Sequence, residues 1–391
     1  MSPSRTALIA GAGIGGLAAA IGLAKAGIRS IVFERDATPD TSGAGIQLSP
    51  NATRALEALG VLDAVAARSV EPRELIVANA LSGATLATMP LGEAMRRKFH
   101  SPYLVCLRAD LHEALAGVAQ NNSLIELRYG STLRDVIPRD DGVTAQCESE
   151  GRSQHIAGDL LIGADGIRSV VREKLFRGSS ARHGGMAAWR ATIPLSSLAG
   201  ITGRDAVRVW LGPGGHLVHY PVGDGSLINL VAVATDSRAS QSWGEENGAA
   251  EVLSRFVSWH ETPRAVIAAA PEYRRWSLFE ASLLPAWSKG AVTLLGDAAH
   301  GMFPFVAQGA AAALEDAVAL GEVLRDAGDV PAALRAYEQM RKPRTTQIQS
   351  SARNIGRIYH MPRPFSFGRD MVMKQIGGEG LMRQNAWIYR G

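Results

Sequence analysis

The most constraining feature of this sequence is a glycine-rich turn directly after its first apolar segment. Residues Thr6 to Ala10 are apolar and lead into Gly11 to Gly16, which reads GAGIGG. A helical pattern follows over Leu17 to Ala26 and ends at Gly27. The next apolar segment, SIVFE, ends at Glu34. A strand, a glycine turn, a helix and a second strand form a right-handed parallel unit. The pattern therefore predicts a βαβ unit at the start of an α/β fold.

The spacing of this turn matches the dinucleotide-binding fingerprint. Gly11 makes the turn, Gly13 lets the backbone approach a pyrophosphate, and Gly16 lets the helix pack on the strand. The pyrophosphate would lie on the helix N-terminus, where free N–H groups favour an anion. Glu34 would accept hydrogen bonds from the adenosine ribose. The alternative is a glycine turn without a ligand, and the fingerprint does not distinguish NAD from FAD. The candidate residues are Gly11, Gly13, Ile14, Gly15, Gly16, Glu34 and Arg35.

Composition limits the class of protein. The uncharged segment Thr6 to Ala24 has a second interpretation as a signal peptide or membrane anchor, but its five glycines disfavour a membrane helix. The chain is 46% hydrophobic and 20% charged, which is typical of globular proteins. Its net charge is +4 with scattered basic residues, so we expect no nucleic-acid patch. Cys106 and Cys147 have neither disulfide nor metal spacing, so we expect a cytoplasmic protein without a metal site.

The order of elements predicts two interwoven regions. Within Ala206 to Ala234, two turns separate three segments in which apolar and polar residues alternate strongly, which predicts a three-strand meander. Residues Leu124 to Gln146 alternate weakly and suggest another antiparallel region. Lys289 to Leu295 predicts a buried strand, and Gly309 to Leu324 a long helix. We therefore expect an α/β fold in which a Rossmann-like domain is interwoven with a β-sheet domain and followed by C-terminal helices.

Two further motifs place carboxylates after apolar strands. The first is DLLIGADGIRSVVR, in which Asp165 lies in an Asp–Gly turn that turn chemistry alone would also explain. The second is LLGDAAHGMFPFVAQGAAAALEDA, in which Asp297 follows a buried strand and no further acid occurs until Glu315.

These motifs, in this order, resemble those of the single-component FAD-dependent aromatic hydroxylases, the relatives of para-hydroxybenzoate and salicylate hydroxylases. The resemblance extends from Ala7 to about Arg353 and rests mainly on the two carboxylate motifs. It implies that Asp297 binds the ribityl chain of FAD and that the Pro304 backbone lies near the reactive C4a edge. Further cofactor residues that it implies are Gly45, Arg108, Asp165, and Gly309 with Ala310 at the start of the long helix.

Each implied role has a plainer alternative. Arg108 would reach FAD from a second helix, but it could also be a surface arginine. The helix that Gly309 opens would stabilise negative charge on the reduced flavin, and a plain helix start is compatible with that role. The uncharged loop between Asp297 and Gly309 would keep water away from the reactive flavin.

The substrate side is read from the strand HLVHYPV. Period-two alternation places His216 and Tyr220 on one face and His219 on the other. In several relatives a histidine of this strand lies near the substrate hydroxyl, so His216, Tyr220, Gln308 and Pro304 are the candidate catalytic residues. The alternative for His216 and Tyr220 is that they cap a sheet edge. Arg190 and Arg208 are weak candidates for binding a substrate carboxylate, and Ala191 replaces a tryptophan that flavin halogenases carry.

The expected function is hydroxylation of a small aromatic, such as the phenolic acids salicylate or 3-hydroxybenzoate, by NAD(P)H and O2 through a C4a-hydroperoxyflavin. His216, with an ordinary pKa near 6.5, would help deprotonate the phenol. The open alternatives are an epoxidase, an N-heteroaromatic or quinolone monooxygenase, a flavin dehydrogenase that does not use oxygen, and a non-enzymatic FAD-binding regulator. We expect a monomer or homodimer.

The expected division of the chain follows the same resemblance. Residues 1–70, 100–180 and 285–355 would form a discontinuous FAD-binding domain. Residues 71–99 and 181–284 would form a substrate domain with an antiparallel sheet, and residues 356–391 a C-terminal helical segment.

Overall fold

The computed structural model describes residues 5–38, 44–178, 181–198, 200–201, 205–238 and 244–391. In chain order its strands are β1 (Thr6–Ala10), β2 (Arg29–Phe33), β3 (Gly45–Leu48), β4 (Glu74–Asn79), β5 (Thr85–Pro90), β6 (Leu104–Leu107), β7 (Ile125–Arg128), β8 (Ser131–Arg139), β9 (Gly142–Ser149), β10 (Arg152–Gly158), β11 (Leu160–Gly163), β12 (Arg182–Pro194), β13 (Ala206–Gly212), β14 (Gly215–Val222), β15 (Leu227–Thr235), β16 (Glu245–Gly248), β17 (Glu272–Glu280), β18 (Ser288–Lys289) and β19 (Val292–Leu294).

The helices of the described residues are α1 (Ile14–Lys25), α2 (Pro50–Leu59), α3 (Leu62–Ala66), α4 (Gly92–Phe99), α5 (Arg108–Gln120), α6 (Val170–Phe176), α7 (Ala249–Ser254), α8 (Glu261–Ala268), α9 (Asp297–His300), α10 (Gly309–Leu324), α11 (Val330–Tyr359) and α12 (Phe365–Tyr389). In this part of the chain, no helix combines the length and the apolar character needed to cross a membrane.

The first large sheet has six strands in the order β18-β19-β11-β1-β2-β7. Strand β1 lies between β2 and β11 and is parallel to both, and the glycine-turn pattern predicted the pairing with β2. The weakly alternating region beginning at Leu124 was expected to be antiparallel, and for Ile125–Arg128 this is wrong. That strand pairs with β2 in parallel at the edge of this sheet, while β8 and β9 form the expected antiparallel pair. Four residues are too few to show which partner a strand will take.

The alanine-rich helix α10 packs against α1 at close range. A Cβ added at Gly22 would lie 2.7 Å from the Ala317 carbonyl oxygen, and one added at Gly321 would lie 2.6 Å from the Gly22 carbonyl oxygen. Small residues on both helices let the two backbones come together over the sheet. The predicted bounds of α10 are confirmed, and its composition is explained by this crossing.

The second large sheet has eight strands in the order β16-β17-β12-β15-β14-β13-β4-β5. The predicted meander is confirmed, because β13, β14 and β15 are consecutive antiparallel neighbours. Helix α12 lies on β5, where a Cβ at Gly378 would overlap the Thr88 carbonyl oxygen. The strands of the two large sheets fall in the ranges expected for the two domains. The domain boundaries themselves stay a prediction, and residue 356 lies inside α11.

Candidate functional site

The glycine turn has the backbone geometry that a dinucleotide site needs. Gly11 has φ +96°, and a Cβ there would lie 2.6 Å from the Ala164 carbonyl oxygen. A Cβ at Gly16 would overlap the Gly11 carbonyl oxygen, so this glycine lets α1 pack on the turn. A Cβ at Gly13, by contrast, would meet no described atom within 4 Å. The space beside Gly13 is therefore open for a ligand, at the N-terminus of the helix that Ile14 begins.

Glu34 lies against this turn at the end of β2. Its Oε2 accepts a hydrogen bond from the Ala12 N–H at 2.8 Å, and its Oε1 accepts one from the Asp36 N–H at 3.1 Å. Each carboxylate oxygen has a second lone pair, which leaves acceptor capacity for ribose hydroxyls. Arg35 points outward with 69% of its side chain exposed and lies 3.6 Å from Asp36. Contact of Arg35 with a cofactor stays a prediction.

Asp297 lies where the parallel sheet ends. Strand β19 finishes at Leu294, Gly296 turns the chain with φ +62°, and Asp297 opens α9. The Asp297 side chain is exposed at this end of the sheet. The protein around it desolvates the carboxyl and raises its pKa, against the effect of His300 and Arg108. A Cβ at Gly309 would lie 3.9 Å from Asp297 Oδ1, so Asp297 lies beside the N-terminus of α10.

The two carboxylate motifs are tied together by Arg172. Its guanidinium is buried and donates hydrogen bonds to the carbonyls of Ala298 and Ala299 at 3.1 and 3.2 Å. In the same segment, Asp165 Oδ2 accepts from the Val170 N–H at 2.7 Å, and Asp165 Oδ1 is buried without a hydrogen-bond partner among the described residues. Burial raises the pKa of this carboxyl. The sequence prediction missed Arg172, although it ends the quoted motif as the arginine of VVR.

Gly45 and Arg108 meet at a small two-stranded ladder. Gly45 begins β3 and pairs with Leu107 of β6. The Arg108 N–H donates to the Ala44 carbonyl at 2.7 Å, which places Arg108 beside Gly45. A Cβ at Gly45 would lie 2.6 Å from Asn229 Cγ. Glycine is therefore required at this position to join the ladder to the eight-stranded sheet.

A buried ionic network supports α9 and α10. Asp316 accepts hydrogen bonds from Arg341 Nε at 2.7 Å and from the Gly296 N–H at 3.1 Å, and its Oδ2 lies 2.6 Å from His300 Nε2. Burial opposes ionisation of Asp316, but His300 and Arg341 outweigh it and lower the carboxyl pKa to about 2. Glu315 pairs with Arg341 as well. This network was missed, although two adjacent acids in an alanine-rich helix were a visible signal.

The same network includes Gln308. Its Nε2 donates to Ser49 Oγ at 2.8 Å, and its Oε1 accepts from Asn51 Nδ2 at 3.0 Å. Gln308 is 1% exposed. Both polar ends of the amide are thus bonded to protein groups, and a contact of Gln308 with substrate or flavin stays a prediction. Pro304 is exposed in the loop between Asp297 and this residue.

His216 and Tyr220 lie on the face of the eight-stranded sheet that meets this loop. The His216 ring packs edge-on against Phe305, with 5.5 Å between centroids. The predicted alternation is confirmed by His219, whose Nε2 accepts from Trp210 Nε1 at 3.1 Å in a separate apolar cluster. The alternative that His216 and Tyr220 cap a sheet edge is wrong, because β14 is paired on both sides.

Two arginines were candidates for a substrate carboxylate, and the register separates them. Arg190 lies opposite Val231, which lies opposite Val218, so Arg190 shares the face of His216 and Tyr220. Arg208 lies opposite His219 and so shares the other face.

The Arg190 guanidinium is half-buried above the Trp276 ring, and its Nε has no hydrogen-bond partner among the described residues. Burial lowers the pKa of Arg190, Tyr220 opposes that effect, and the charge on Arg108 adds to it. Two cations near one another on the wall of a cleft favour an anionic ligand.

Comparisons with known proteins agree with this arrangement. A protein-family profile described as "FAD binding domain" matches residues 4–352. The chain is 38% identical to a 3-hydroxybenzoate 6-hydroxylase of Polaromonas naphthalenivorans, over 98% of this chain and 95% of that protein. It is 37% identical to the 3-hydroxybenzoate 6-hydroxylase of Klebsiella oxytoca, over 100% and 97% of the two chains.

Two solved structures resemble the whole fold. HpxO of Klebsiella pneumoniae, complexed with FAD and uric acid, superposes with a TM-score of 0.87 at 25% identity, over 98% of this chain and 96% of that one. A salicylate hydroxylase substrate complex superposes with a TM-score of 0.85 at 24% identity, over 100% and 96% of the two chains, and shows the shared fold.

Proposed function

The chain belongs to the single-component FAD-dependent aromatic hydroxylases, and we propose that its substrate is a small phenolic acid of the 3-hydroxybenzoate or salicylate type. The observation that carries the proposal is that Arg190 and His216 lie on the same face of the sheet, opposite the loop after Asp297. A cation and a neutral imidazole on one wall suit a ring that carries both a carboxylate and a hydroxyl group.

The residues present fit FAD. The open space beside Gly13 suits a pyrophosphate, and the exposed Asp297 carboxylate suits ribityl hydroxyls. The unpartnered Asp165 Oδ1 offers a further buried acceptor. When bound, FAD takes electrons from reduced nicotinamide and activates O2, while the protein orients the ring and excludes water.

The separation of Arg190 and His216 matches a substituted aromatic ring. They lie two strands and two residues apart, so their Cα atoms are about 12 Å apart at the usual strand spacing and rise. Both side chains lie on the same face of the sheet, and a Cα separation of this size leaves room between them for one ring with its substituents. Arg190 would hold the carboxylate, and His216 would accept the phenol proton from the other side.

The charge state expected for His216 needs correction. Burial, followed by the nearby His360, lowers the pKa of His216 well below its usual value, so the ring is neutral around pH 7 rather than half-protonated. A neutral imidazole can accept a proton from a phenol throughout the physiological range. Activity should therefore not fall with the midpoint near 6.5 that an unperturbed histidine would give.

The test is a panel of aromatic acids assayed for NADH and NADPH oxidation and for hydroxylated product. We expect 3-hydroxybenzoate or salicylate to give product in a ratio near one to nicotinamide consumed, and benzoate, which lacks the hydroxyl, to give none. His216→Ala should slow hydroxylation by roughly 10²–10⁴ with FAD retained. Arg190→Met should raise KM for the acid and leave a carboxamide analogue unaffected.

The matched control is His219→Ala, which removes an equally buried ring from the other face of the same strand. A wild-type rate for His216→Ala, or an equal loss for His219→Ala, would contradict the assignment. Turnover only with N-heteroaromatic rings or alkenes would favour the alternative monooxygenases. Nicotinamide oxidation that needs no O2 would favour a dehydrogenase. The nicotinamide form, cytoplasmic location and monomeric or homodimeric state stay predictions.

A further inference from the structure

His216 is hydrogen-bonded to a second histidine from a distant part of the chain. Its Nδ1 lies 2.7 Å from Nε2 of His360, and the two rings are tilted by 31° with centroids 5.0 Å apart. His360 is the residue directly after α11 and is half-buried, whereas His216 is 3% exposed. The pair therefore connects a buried position on the wall of the cleft with a position nearer to solvent.

We propose that His360 is the relay partner of His216, and that it takes over the proton that His216 receives from a phenolic substrate and passes it toward solvent. The proposal rests on the proposed function. It assigns the C-terminal helical region a part in the chemistry of the site, in addition to its packing against the eight-stranded sheet.

The proton balance of the relay is fixed by the hydrogen bond. For His216 Nε2 to accept the phenol proton, its Nδ1 must carry hydrogen and donate it to His360 Nε2, so the hydrogen of neutral His360 is on Nδ1. When the phenol proton arrives at His216 Nε2, the Nδ1 hydrogen moves to His360 Nε2. The His360 Nδ1 hydrogen then leaves to solvent. The phenol becomes a phenolate, both rings end neutral with hydrogen on Nε2, and no electrons are transferred. The reverse shift, in which the product phenolate takes the hydrogen of His216 Nε2 and solvent returns one to His360 Nδ1, restores the starting tautomers.

Burial makes this handover favourable. Desolvation lowers the pKa of His216, and that of His360 to about 4, so a lasting positive charge on either ring is disfavoured. His216 alone would be a weak base because it would have to keep the charge. Passing the proton on leaves His216 neutral, and the charge exists only briefly on the more exposed ring.

The fold holds His360 in place from several elements. The Gly214 N–H donates to the His360 carbonyl at 3.2 Å, and the His360 ring packs edge-on against Phe305 at 5.8 Å. Tyr359 contacts the His216 ring from the same helix at 5.4 Å. From α12, Arg369 donates to the Tyr359 carbonyl at 2.7 Å, and its charge contributes to the lowered pKa of His360.

Among the described residues, the titratable and charged groups beside the pair include Tyr359 on α11 and Arg369 with its partner Asp370 on α12. Asp370 lies 2.7 Å from Arg369 and offsets part of its charge. Burial raises the pKa of Tyr359 to about 12, so it keeps its proton at neutral pH. Tyr359 therefore does not compete with His360 for the proton near pH 7.

The experiment compares His360→Gln with His360→Phe in the FAD-loaded enzyme. The glutamine amide can keep a hydrogen bond to His216 Nδ1 but cannot pass a proton on, and phenylalanine can do neither. Tyr359→Phe is the control for packing beside His216. The first readout is the 15N NMR signal of the His216 ring, which reports its tautomer without substrate. The second is the rate of proton release on binding 3-hydroxybenzoate, followed with a pH indicator from pH 6 to 9.

We expect both His360 variants to bind FAD and to release the phenol proton about 10²-fold more slowly, with KM little changed. His360→Phe should also change the His216 tautomer, and Tyr359→Phe should change neither readout. Wild-type proton release in His360→Gln would overturn the relay and leave an orienting role. An unchanged His216 NMR signal in His360→Phe would overturn the pairing itself. If no phenol binds to the wild-type enzyme, the proposed function fails, and the NMR comparison still decides the pairing.

Discussion

Replacing Gly13 with alanine should weaken FAD binding while leaving the folded protein intact. The backbone at Gly13 (φ −71°, ψ −176°) is open to any residue, and an added Cβ meets no described atom within 4 Å. Loss of a good helix N-cap destabilises the fold, whereas stiffening of the unfolded chain stabilises it. Because the two effects oppose each other, the free energy of unfolding should change by less than about 1 kcal/mol. The methyl group instead enters the space of the pyrophosphate, where overpacking costs about 1–3 kcal/mol. FAD should bind about 5- to 140-fold more weakly.

The matched variant is Gly16→Ala, whose Cβ would overlap the Gly11 carbonyl oxygen. Here the clash is with the protein backbone, so the apoprotein should lose about 3 kcal/mol or more of stability and melt several degrees lower. The assay is titration of each apoprotein with FAD by flavin fluorescence, beside thermal unfolding without FAD. A wild-type FAD affinity for Gly13→Ala, or an apoprotein destabilised as much as Gly16→Ala, would refute the reasoning.

Asp297→Ala should raise the FAD dissociation constant by about 10- to 140-fold, since hydrogen bonds to a charged acceptor contribute about 1.5–3 kcal/mol. Asp297→Asn should give an intermediate constant. An unchanged constant for Asp297→Ala would mean that other residues bind the ribityl chain. Asp316→Asn should lower the free energy of unfolding at pH 7 by about 2 kcal/mol or more, because the folded carboxyl has a pKa near 2 against the usual 3.8. A lowered pKa stabilises the fold above pH 4, and this contribution is lost as the pH falls toward 2, so urea unfolding of wild type and variant should converge below pH 4. A constant difference from pH 7 to pH 3 would show that the charge of Asp316 is not the cause.

Local patterns in the sequence predict those parts of the fold whose partners are near in the chain. The glycine turn, the meander and α10 were all predicted, because each depends on a period or a turn within about thirty residues. Strand β7 and the β3–β6 ladder were not, because strands of four residues carry no information about which edge they will join.

Buried polar partners were the main part of the site that the sequence did not predict. His216 and His360 are 144 residues apart, and their contact depends on where α11 ends. Arg341 reaches Asp316 from a different helix, so neither residue alone marks the network. Gln308 was a candidate catalytic residue in an uncharged loop, and only the fold shows that Ser49 and Asn51 bind its amide.

The order of strands in the six-stranded sheet has a consequence for biosynthesis. Neighbouring strands β1, β11 and β19 are made at residues Thr6–Ala10, Leu160–Gly163 and Val292–Leu294, so roughly 280 residues are translated between the first and the last. At typical elongation rates that takes about 15–55 s. During this time the glycine turn is already outside the ribosome, but Asp297 and the start of α10 do not yet exist. On the proposed assignment of Asp297, FAD is captured fully only after α10 has begun to form. A nascent chain that stalls before β19 would expose the apolar edge of β11 to chaperones and proteases.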